Sequence, residues 1–188
     1  MSLAEWKQRY RAGEQVFETP APLVQDFAAK LNPGRALDLA CGPGRNALYL
    51  AERGWQVTAV DGSPIAIDLL REQARRKQLQ IDAHVADLER GGFELEPAAY
   101  DLVVDSYYLQ RDLIPAMERG LRPGGCLIMI VHLADPDQPE GTPTRAIPAE
   151  LRSYFKGWTI LHYFEGLPRE SYHKRAVAEI VAMKPPEE

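Results

Sequence analysis

Three aspartates stand in one kind of place along this chain. Asp61, Asp87 and Asp105 each follow a short strand-like run, at 57–60, 81–86 and 102–104. Upstream of all three, Asp38-Leu39-Ala40-Cys41-Gly42-Pro43-Gly44-Arg45-Asn46 carries another apolar run into a glycine turn. Gly42 and Gly44 let the backbone turn tightly and approach a ligand with no Cβ in the way. A helix starting beyond Gly44 supplies free N–H groups and partial positive charge, which suit a carboxylate. Asp61 lies about twenty residues past the glycines, where a carboxylate can accept hydrogen bonds from ribose hydroxyls.

The glycines alone leave two ligands open. Gly42-Pro43-Gly44-Arg45-Asn46-Ala47 also satisfies the relaxed dinucleotide fingerprint that ends in Ala, so an NAD-type binding protein is one reading. The acids favour the other. A pyrophosphate would be repelled by several carboxylates, whereas S-adenosylmethionine brings a sulfonium and an ammonium that they suit. Its single carboxylate can face the helix N-terminus.

These groups need a scaffold, and the pattern around them supplies one. Residues 3–12 read as a short amphipathic helix with Trp6 and Tyr10 on one face, followed by a helix at 21–31 stopped by Asn32-Pro33-Gly34. Then strands at 36–40, 57–60, 81–85, 102–104 and 126–131 alternate with helices at 46–53, 64–77 and 109–121. Ser63-Pro64 has the chemistry of a helix start, and Arg122-Pro123-Gly124-Gly125 turns the chain into the fifth strand. This alternation predicts an α/β fold, a parallel sheet with helices on both faces and ligands at the carboxyl ends of its strands. Pro136, Pro139, Gly141 and Pro143 mark a loop over 134–145, of a length more often functional or mobile than merely connecting. A helix at 148–155 and an antiparallel pair at 158–161 and 176–182 complete the chain.

Bulk properties exclude other classes. The 188 residues are 45% hydrophobic, enough for a substantial core, and the net charge of −5 disfavours a broad nucleic-acid surface. No apolar run approaches the length of a membrane span, and the first residues lack the apolar segment of a secretion signal. The only cysteines, Cys41 and Cys126, read as free thiols in a reducing cytoplasm. His84, His132, His162 and His173 show no ligand-like spacing, so no metal is expected.

Taken in order, these segments resemble the class I S-adenosylmethionine-dependent methyltransferases over residues 36–131. The matching stretches are Leu37 to Asn46, Val57-Thr58-Ala59-Val60-Asp61-Gly62-Ser63-Pro64, Ala86-Asp87-Leu88, Tyr100-Asp101-Leu102-Val103-Val104-Asp105 and Leu121-Arg122-Pro123-Gly124-Gly125. Arg45 stands where many members have a third glycine. Gly44-Arg45-Asn46-Ala47-Leu48-Tyr49-Leu50 instead resembles the tellurite-resistance (TehB-like) and thiopurine-methyltransferase-like branch.

The resemblance implies a Rossmann-like, doubly wound, seven-stranded sheet, mostly parallel with the last strand antiparallel. The chain would be a single methyltransferase domain over 1–188: N-terminal helices at 1–32, a cofactor core at 35–132 and a substrate-side end at 133–188. It further implies that the donor is held by Asp38, Cys41, Gly42, Gly44, Arg45, Asn46, Asp61, Gly62, Ser63, Ala86, Asp87, Leu88 and Asp105. Within that set the glycines would flank the methionine part, Asp61 the ribose and Asp87 the adenine amino group, with the Leu88 amide nearby and Asp105 near the ammonium. S-adenosylhomocysteine would be the product, and the acceptor a small, soft or oxyanionic molecule, a thiol or a hydroxyl.

Methyl transfer is an in-line displacement that demands alignment and exclusion of water more than any particular nucleophile. Tyr107, Tyr108 and His132, after the fourth and fifth strands, are the candidate acceptor-pocket residues. His132 is either a general base or a structural histidine. Trp6, Tyr10 and Arg11 are lid candidates. A nucleic-acid or protein target is the alternative reading, but Asp105-Ser106-Tyr107-Tyr108 lacks the Pro-Pro-aromatic step associated with base-amine methylation, and no strongly basic stretch accompanies it. Asp61→Ala is expected to weaken donor binding while leaving the fold intact.

Overall fold

The computed structural model describes residues 3–14, 17–138 and 140–186. The chain divides into two compact units, Met1–Glu94 and Leu95–Glu188.

The first unit comprises α1 (Leu3–Arg11), α2 (Pro22–Ala28), β1 (Arg35–Leu39), α3 (Arg45–Glu52), β2 (Gln56–Asp61), α4 (Pro64–Arg76) and β3 (Ile81–Val85), closed by a 3-10 turn at Leu88–Arg90. Its strands run parallel in the order β3-β2-β1, with Leu37 opposite Thr58 and Ala59 opposite Ala83. From Ala36 to Leu39 every residue of β1 is buried, as expected of a strand covered on both faces. The Ser63-Pro64 start behaves as read: Ser63 Oγ accepts the Ala66 amide at 3.4 Å, and Pro64 fills the first turn. Ile67, Leu70 and Ala74, three and four apart, form the buried stripe of α4. The helix expected over 21–31 ends at Ala28, because Lys30 and Leu31 bond back to the carbonyls of Phe27 and Ala28 in tighter 3-10 fashion.

The second unit comprises β4 (Tyr100–Ser106), a 3-10 turn at Arg111–Leu113, α5 (Ile114–Gly120), β5 (Leu121–His132), α6 (Glu150–Tyr154), β6 (Thr159–Gly166) and β7 (Val177–Met183). Its strand order is β4-β5-β7-β6; β4 and β5 are parallel, and β7 runs antiparallel to both of its neighbours. The expected antiparallel pair is therefore present, with β6 extending on to Gly166.

Two expectations shift. The helix expected from 109 begins only at Ile114, because Pro115 supplies no N–H and fits only the first turn. Arg122-Pro123-Gly124-Gly125 is a bulge rather than a turn ahead of the strand: Tyr100 pairs with Leu121, but Leu102 pairs with Cys126. The Gly124 amide there donates to the Lys184 carbonyl at 3.0 Å.

The loop over 134–145, whose Pro139 lies outside the described residues, is tied down by side chains. Arg111 donates to the Thr142 and Arg145 carbonyls at 2.9 and 3.1 Å while gripping the Glu150 carboxylate at 2.6 Å. Cys41 and Cys126 are free and buried, and no helix among the described residues is long and apolar enough to cross a membrane.

Candidate active site

In the first unit, β1 runs out into backbone of positive φ at Ala40 (49°), Gly42 (55°) and Gly44 (87°). The Cys41 amide donates to the Val60 carbonyl and the Gly44 amide to the Cys41 carbonyl, both at 3.0 Å, so the turn is pinned to β2 and closed on itself. Asp61 ends β2. Its Oδ2 accepts the Gly42 amide and its Oδ1 the Ser63 amide, each at 2.8 Å. One carboxylate thus holds the glycine turn and the entry to α4 in register, and each oxygen keeps a lone pair for a ligand. Burial pushes the Asp61 carboxyl up, against the opposing pull of the Ser63 and Gly42 amides.

Asp38 is in the opposite condition. Its side chain is 1% exposed, and neither oxygen has a hydrogen-bond partner among the described residues. Burial pushes its carboxyl up to about 7; the nearby Ala47 amide and Arg45 guanidinium oppose this, and Asp61 adds to it. A sealed acid that makes no full hydrogen bond, beside a second acid, is stabilised by a cation. The cradle therefore fits a ligand bearing a sulfonium or an ammonium and disfavours a pyrophosphate.

The Asp38 carboxyl also makes a stability statement. Its folded value lies above the unfolded 3.8, so the folded chain holds this proton more tightly, and the stabilisation is lost as pH rises through about 7. The loss is at most about 4 kcal/mol, from roughly three pH units at about 1.4 kcal/mol each. Asp38→Asn is expected to melt several degrees above the wild type at pH 8, to lose that advantage by pH 4 and to bind S-adenosylhomocysteine more weakly. Melts at both pH values with calorimetry at pH 8 check all three.

Helix α1 lies against this turn. A Cβ on Gly42 would stand 3.0 Å from the Tyr10 hydroxyl oxygen, and one on Gly62 would stand 2.9 Å from Leu3 Cδ1. Trp6 stacks on Tyr10 with ring centroids 5.6 Å apart. Burial, followed by the Asp61 and Cys41 charges, pushes the Tyr10 hydroxyl up. The spacing of Trp6 and Tyr10 points to this face; nothing in the sequence points to Leu3.

Other predicted donor residues have structural partners. Asn46 Oδ1 accepts the Ala21 amide at 2.9 Å and so anchors the start of α2. Arg45 donates to the Thr19 carbonyl at 3.3 Å and lies over the Phe17 ring. The Cys41 thiol is buried, pushed well up and directed at the Gly42 carbonyl. Past β3, the Ala86 amide donates to the Asp61 carbonyl at 3.0 Å, Asp87 Oδ1 caps the 3-10 turn through the Glu89 amide at 3.1 Å, and Leu88 is buried.

In the second unit, Asp105 is fully buried on β4, in register with Met129 of β5. Just past β4, Tyr107 takes a positive φ of 65°, and its amide donates to the Ile130 carbonyl at 2.6 Å. For a bulky side chain that backbone is strained, a feature that clusters at functional sites. The Tyr107 ring stacks on His173 at 3.9 Å and meets His132, the last residue of β5, at 5.2 Å. Both the Tyr107 and Tyr172 hydroxyls donate to Glu170, a carboxylate only 8% exposed. Tyr107 and His132 are thus brought together, while the Tyr108 hydroxyl donates to Gln110 at 2.6 Å. Glu170 and His173 are not among the site residues that the sequence singles out. The sequence shows a basic spot at His173-Lys174-Arg175, and Glu170 lies 63 positions from the Tyr107 that binds it.

Burial pushes His132 down to about 4, with His173, Arg175 and Arg145 adding to the effect. Arg145 and Arg175 both bind the Asp135 carboxylate, which offsets their charge. Among the described residues no group of His, Cys, Asp and Glu could hold a metal ion.

The geometry can be set beside known proteins. "Probable S-adenosyl-L-methionine-dependent methyltransferase TehB" of Haemophilus influenzae is 29% identical over 153 residues, 77% of this chain and 52% of that protein. Malonyl-[acyl-carrier protein] O-methyltransferase of Enterobacter lignolyticus is 36% identical over 106 residues, 54% of this chain and 40% of that one. The chain spans about half the length of the curated TehB relative. The crystal structure of Haemophilus influenzae TehB superposes with a TM-score of 0.77 at 26% identity, covering 95% of this chain and 67% of that one, and the fold is accordingly Rossmann-like. The family model of tellurite resistance protein TehB matches residues 11–179. With nearly its whole length matched, the chain belongs to the TehB family.

Proposed function

We propose that this chain, as one domain over 1–188, transfers the methyl group of S-adenosylmethionine to a small-molecule acceptor. The observation that carries the reading is the Asp38 carboxyl, sealed without a hydrogen-bond partner beside Asp61 under the glycine turn. That arrangement calls for a cationic ligand, and the relatives are named as methyltransferases, one of them as an O-methyltransferase.

The donor, when bound, supplies an electrophilic methyl carbon on a positively charged sulfur. The chain's own residues bind and orient it. Asp61 offers its remaining lone pairs to the ribose hydroxyls without giving up the Gly42 and Ser63 amides. Asp38 offers charge to the cationic end, and the amides at the start of α3 suit its carboxylate. Asp87, with the Ala86 and Leu88 backbone, takes the adenine. Tyr107, Tyr108 and His132 serve the acceptor. The buried apolar surroundings of the turn exclude water, which is most of what an in-line displacement requires.

S-adenosylhomocysteine at about 100 times its Kd is expected to raise the melting temperature by about 5–10 °C, and NAD(H) to leave it unmoved. A shift with NAD(H) and none with S-adenosylhomocysteine would refute the reading.

A further inference from the structure

A groove of about 610 Å³ lies at the amino ends of β1, β2 and β3, and every residue that lines it belongs to the first unit. The methyltransferase reading makes no use of it. The glycine turn and Asp61 stand at the carboxyl ends of β1 and β2, so the five residues of β1, at about 3.3 Å each, separate the two places. The groove falls within the range of about 300–1,000 Å³ that small-molecule sites occupy.

Its lining divides by chemistry. Val57 and Ala74 are buried and Leu79 and Ile81 half-buried, which gives the groove an apolar side. Arg35 opens β1, and Arg71 and Arg75 stand four apart on α4; all three are on the lining. Asp82 is the one acid among the lining residues, and its carboxylate lies 2.9 Å from His84 Nε2.

An ordinary solvated surface does not account for this set. The chain carries a net charge of −5, yet here three arginines accompany a single aspartate. Cations in the last turn of a helix meet its negative end, which explains Arg75 and its neighbour Arg76. It does not explain Arg71, in the middle of α4, or Arg35, brought in from another strand. Like charges four apart on a helix also repel, so Arg71 and Arg75 together work against α4 unless an anion joins them.

The two helix arginines differ in what holds them. Arg71 Nη2 donates to the Ala83 carbonyl at 2.7 Å, which ties its guanidinium to β3. Its Nη1 lies 3.6 Å from the exposed Asp68 carboxylate, a surface pair that contributes little. The Arg75 guanidinium has no hydrogen-bond or ion-pair partner among the described residues, whereas Arg76, one residue on, is bound to Glu72.

We propose that this groove binds a small organic phosphate, with Arg71, Arg75 and Arg35 holding the phosphate and the apolar side receiving the rest of the molecule. A phosphate monoester brings close to two negative charges at neutral pH and three strong acceptor oxygens, and guanidinium forks match those oxygens in pairs. A carboxylate or a sulfate ester brings one charge and leaves much of the arginine charge unmet. Bare phosphate leaves the apolar side to water. The occupant needs no adenosine, and it sits where the methyl donor does not.

The test is calorimetry on the full chain at about pH 7.5 and low salt, with 1-naphthyl phosphate as the probe. 1-Naphthyl sulfate keeps the shape with one charge, and inorganic phosphate keeps the charge without the apolar body. The wild type is expected to bind 1-naphthyl phosphate with a Kd below about 1 mM, and at least about fivefold more tightly than either comparison ligand. Arg75→Gln, which leaves no former partner behind, should weaken the probe about tenfold, and adding Arg71→Gln should weaken it further. Arg76→Gln should not change it, and neither should saturating S-adenosylhomocysteine.

A Kd above about 1 mM, or one that Arg75→Gln leaves unchanged, overturns the proposal. Equal binding of the sulfate ester or of inorganic phosphate removes the stated ligand class. Equal loss in Arg76→Gln would mean diffuse surface charge in place of a site, and displacement by S-adenosylhomocysteine would put the probe in the donor seat. Each of these outcomes leaves the methyltransferase reading to its own melting test.

Discussion

Asp61→Ala is expected to weaken S-adenosylhomocysteine binding by at least about 100-fold and, in the same protein, to lower the melting temperature. The first effect follows from the ribose. A buried carboxylate accepting two hydroxyl hydrogen bonds contributes about 1.5–3 kcal/mol per bond, and two such bonds exceed the roughly 2.7 kcal/mol that a 100-fold change requires. The second effect adds to the expectation from sequence that the fold stays intact: the variant still folds, but less stably. The Asp61 oxygens hold the Gly42 and Ser63 amides at 2.8 Å, and alanine leaves both N–H groups without their acceptor. Each such loss costs about 1–3 kcal/mol, less where water can enter, so a fall of several degrees is expected.

Asp61→Asn separates the two roles. Its one carbonyl oxygen can keep one amide, but its NH2 must face the other, so stability should fall between those of the wild type and Asp61→Ala. Calorimetry with S-adenosylhomocysteine, run well below each variant's melting temperature, keeps binding and folding apart. Unchanged affinity in folded Asp61→Ala would remove Asp61 from the donor site.

That mixture of ligand and scaffold roles marks what was legible in the sequence. The parallel core was legible because a strand buried on both faces is mostly apolar, and 36–39, 57–60 and 127–131 are so apart from Asp38 and Thr58. Ser63-Pro64 was legible because capping is local chemistry, settled within three residues. The antiparallel end was legible from two β-like segments with no clear crossover helix between them.

What escaped depends on distant partners or on their absence. The bulge at Arg122–Gly125 is decided by the carbonyl of Lys184, some sixty positions away along the chain. Asp38 stood out as a member of a motif, but no motif tells that its carboxyl is sealed without a full hydrogen bond. Glu170 lies in a segment that reads as a polar connection, and only the fold sets it under two tyrosine hydroxyls. Glu179 is a further case: it looks misplaced within the apolar Val177–Met183 run until His162 of β6 is found 3.0 Å from it.

Gly44→Ala is expected to cost about 2–5 kcal/mol, and to do so through packing and backbone strain rather than through the ligand. In sequence both glycines of the turn read as room for a bound molecule. The structure divides them. A Cβ on Gly42 would meet only the tip of the Tyr10 side chain, at 3.0 Å, on the face that α1 covers. A Cβ on Gly44 would stand 2.2 Å from Leu70 Cδ1 and 2.9 Å from Leu70 Cγ, inside the first unit's own core, where Leu70 is fully buried. Leu70 cannot swing clear without displacing its neighbours on the α4 stripe, and overpacking of this kind costs about 1–3 kcal/mol. The φ of 87° adds about 1–2 kcal/mol for any residue with a Cβ. For a chain of this length that sum corresponds to a fall of roughly 4–20 °C in the melting temperature. Gly44→Ala combined with Leu70→Ala removes the clash but not the backbone strain, so the two substitutions should be non-additive, the double variant losing less than the sum of the singles. Strict additivity would mean that Gly44 is required by the turn alone, and that Leu70 has no part in why a glycine stands there.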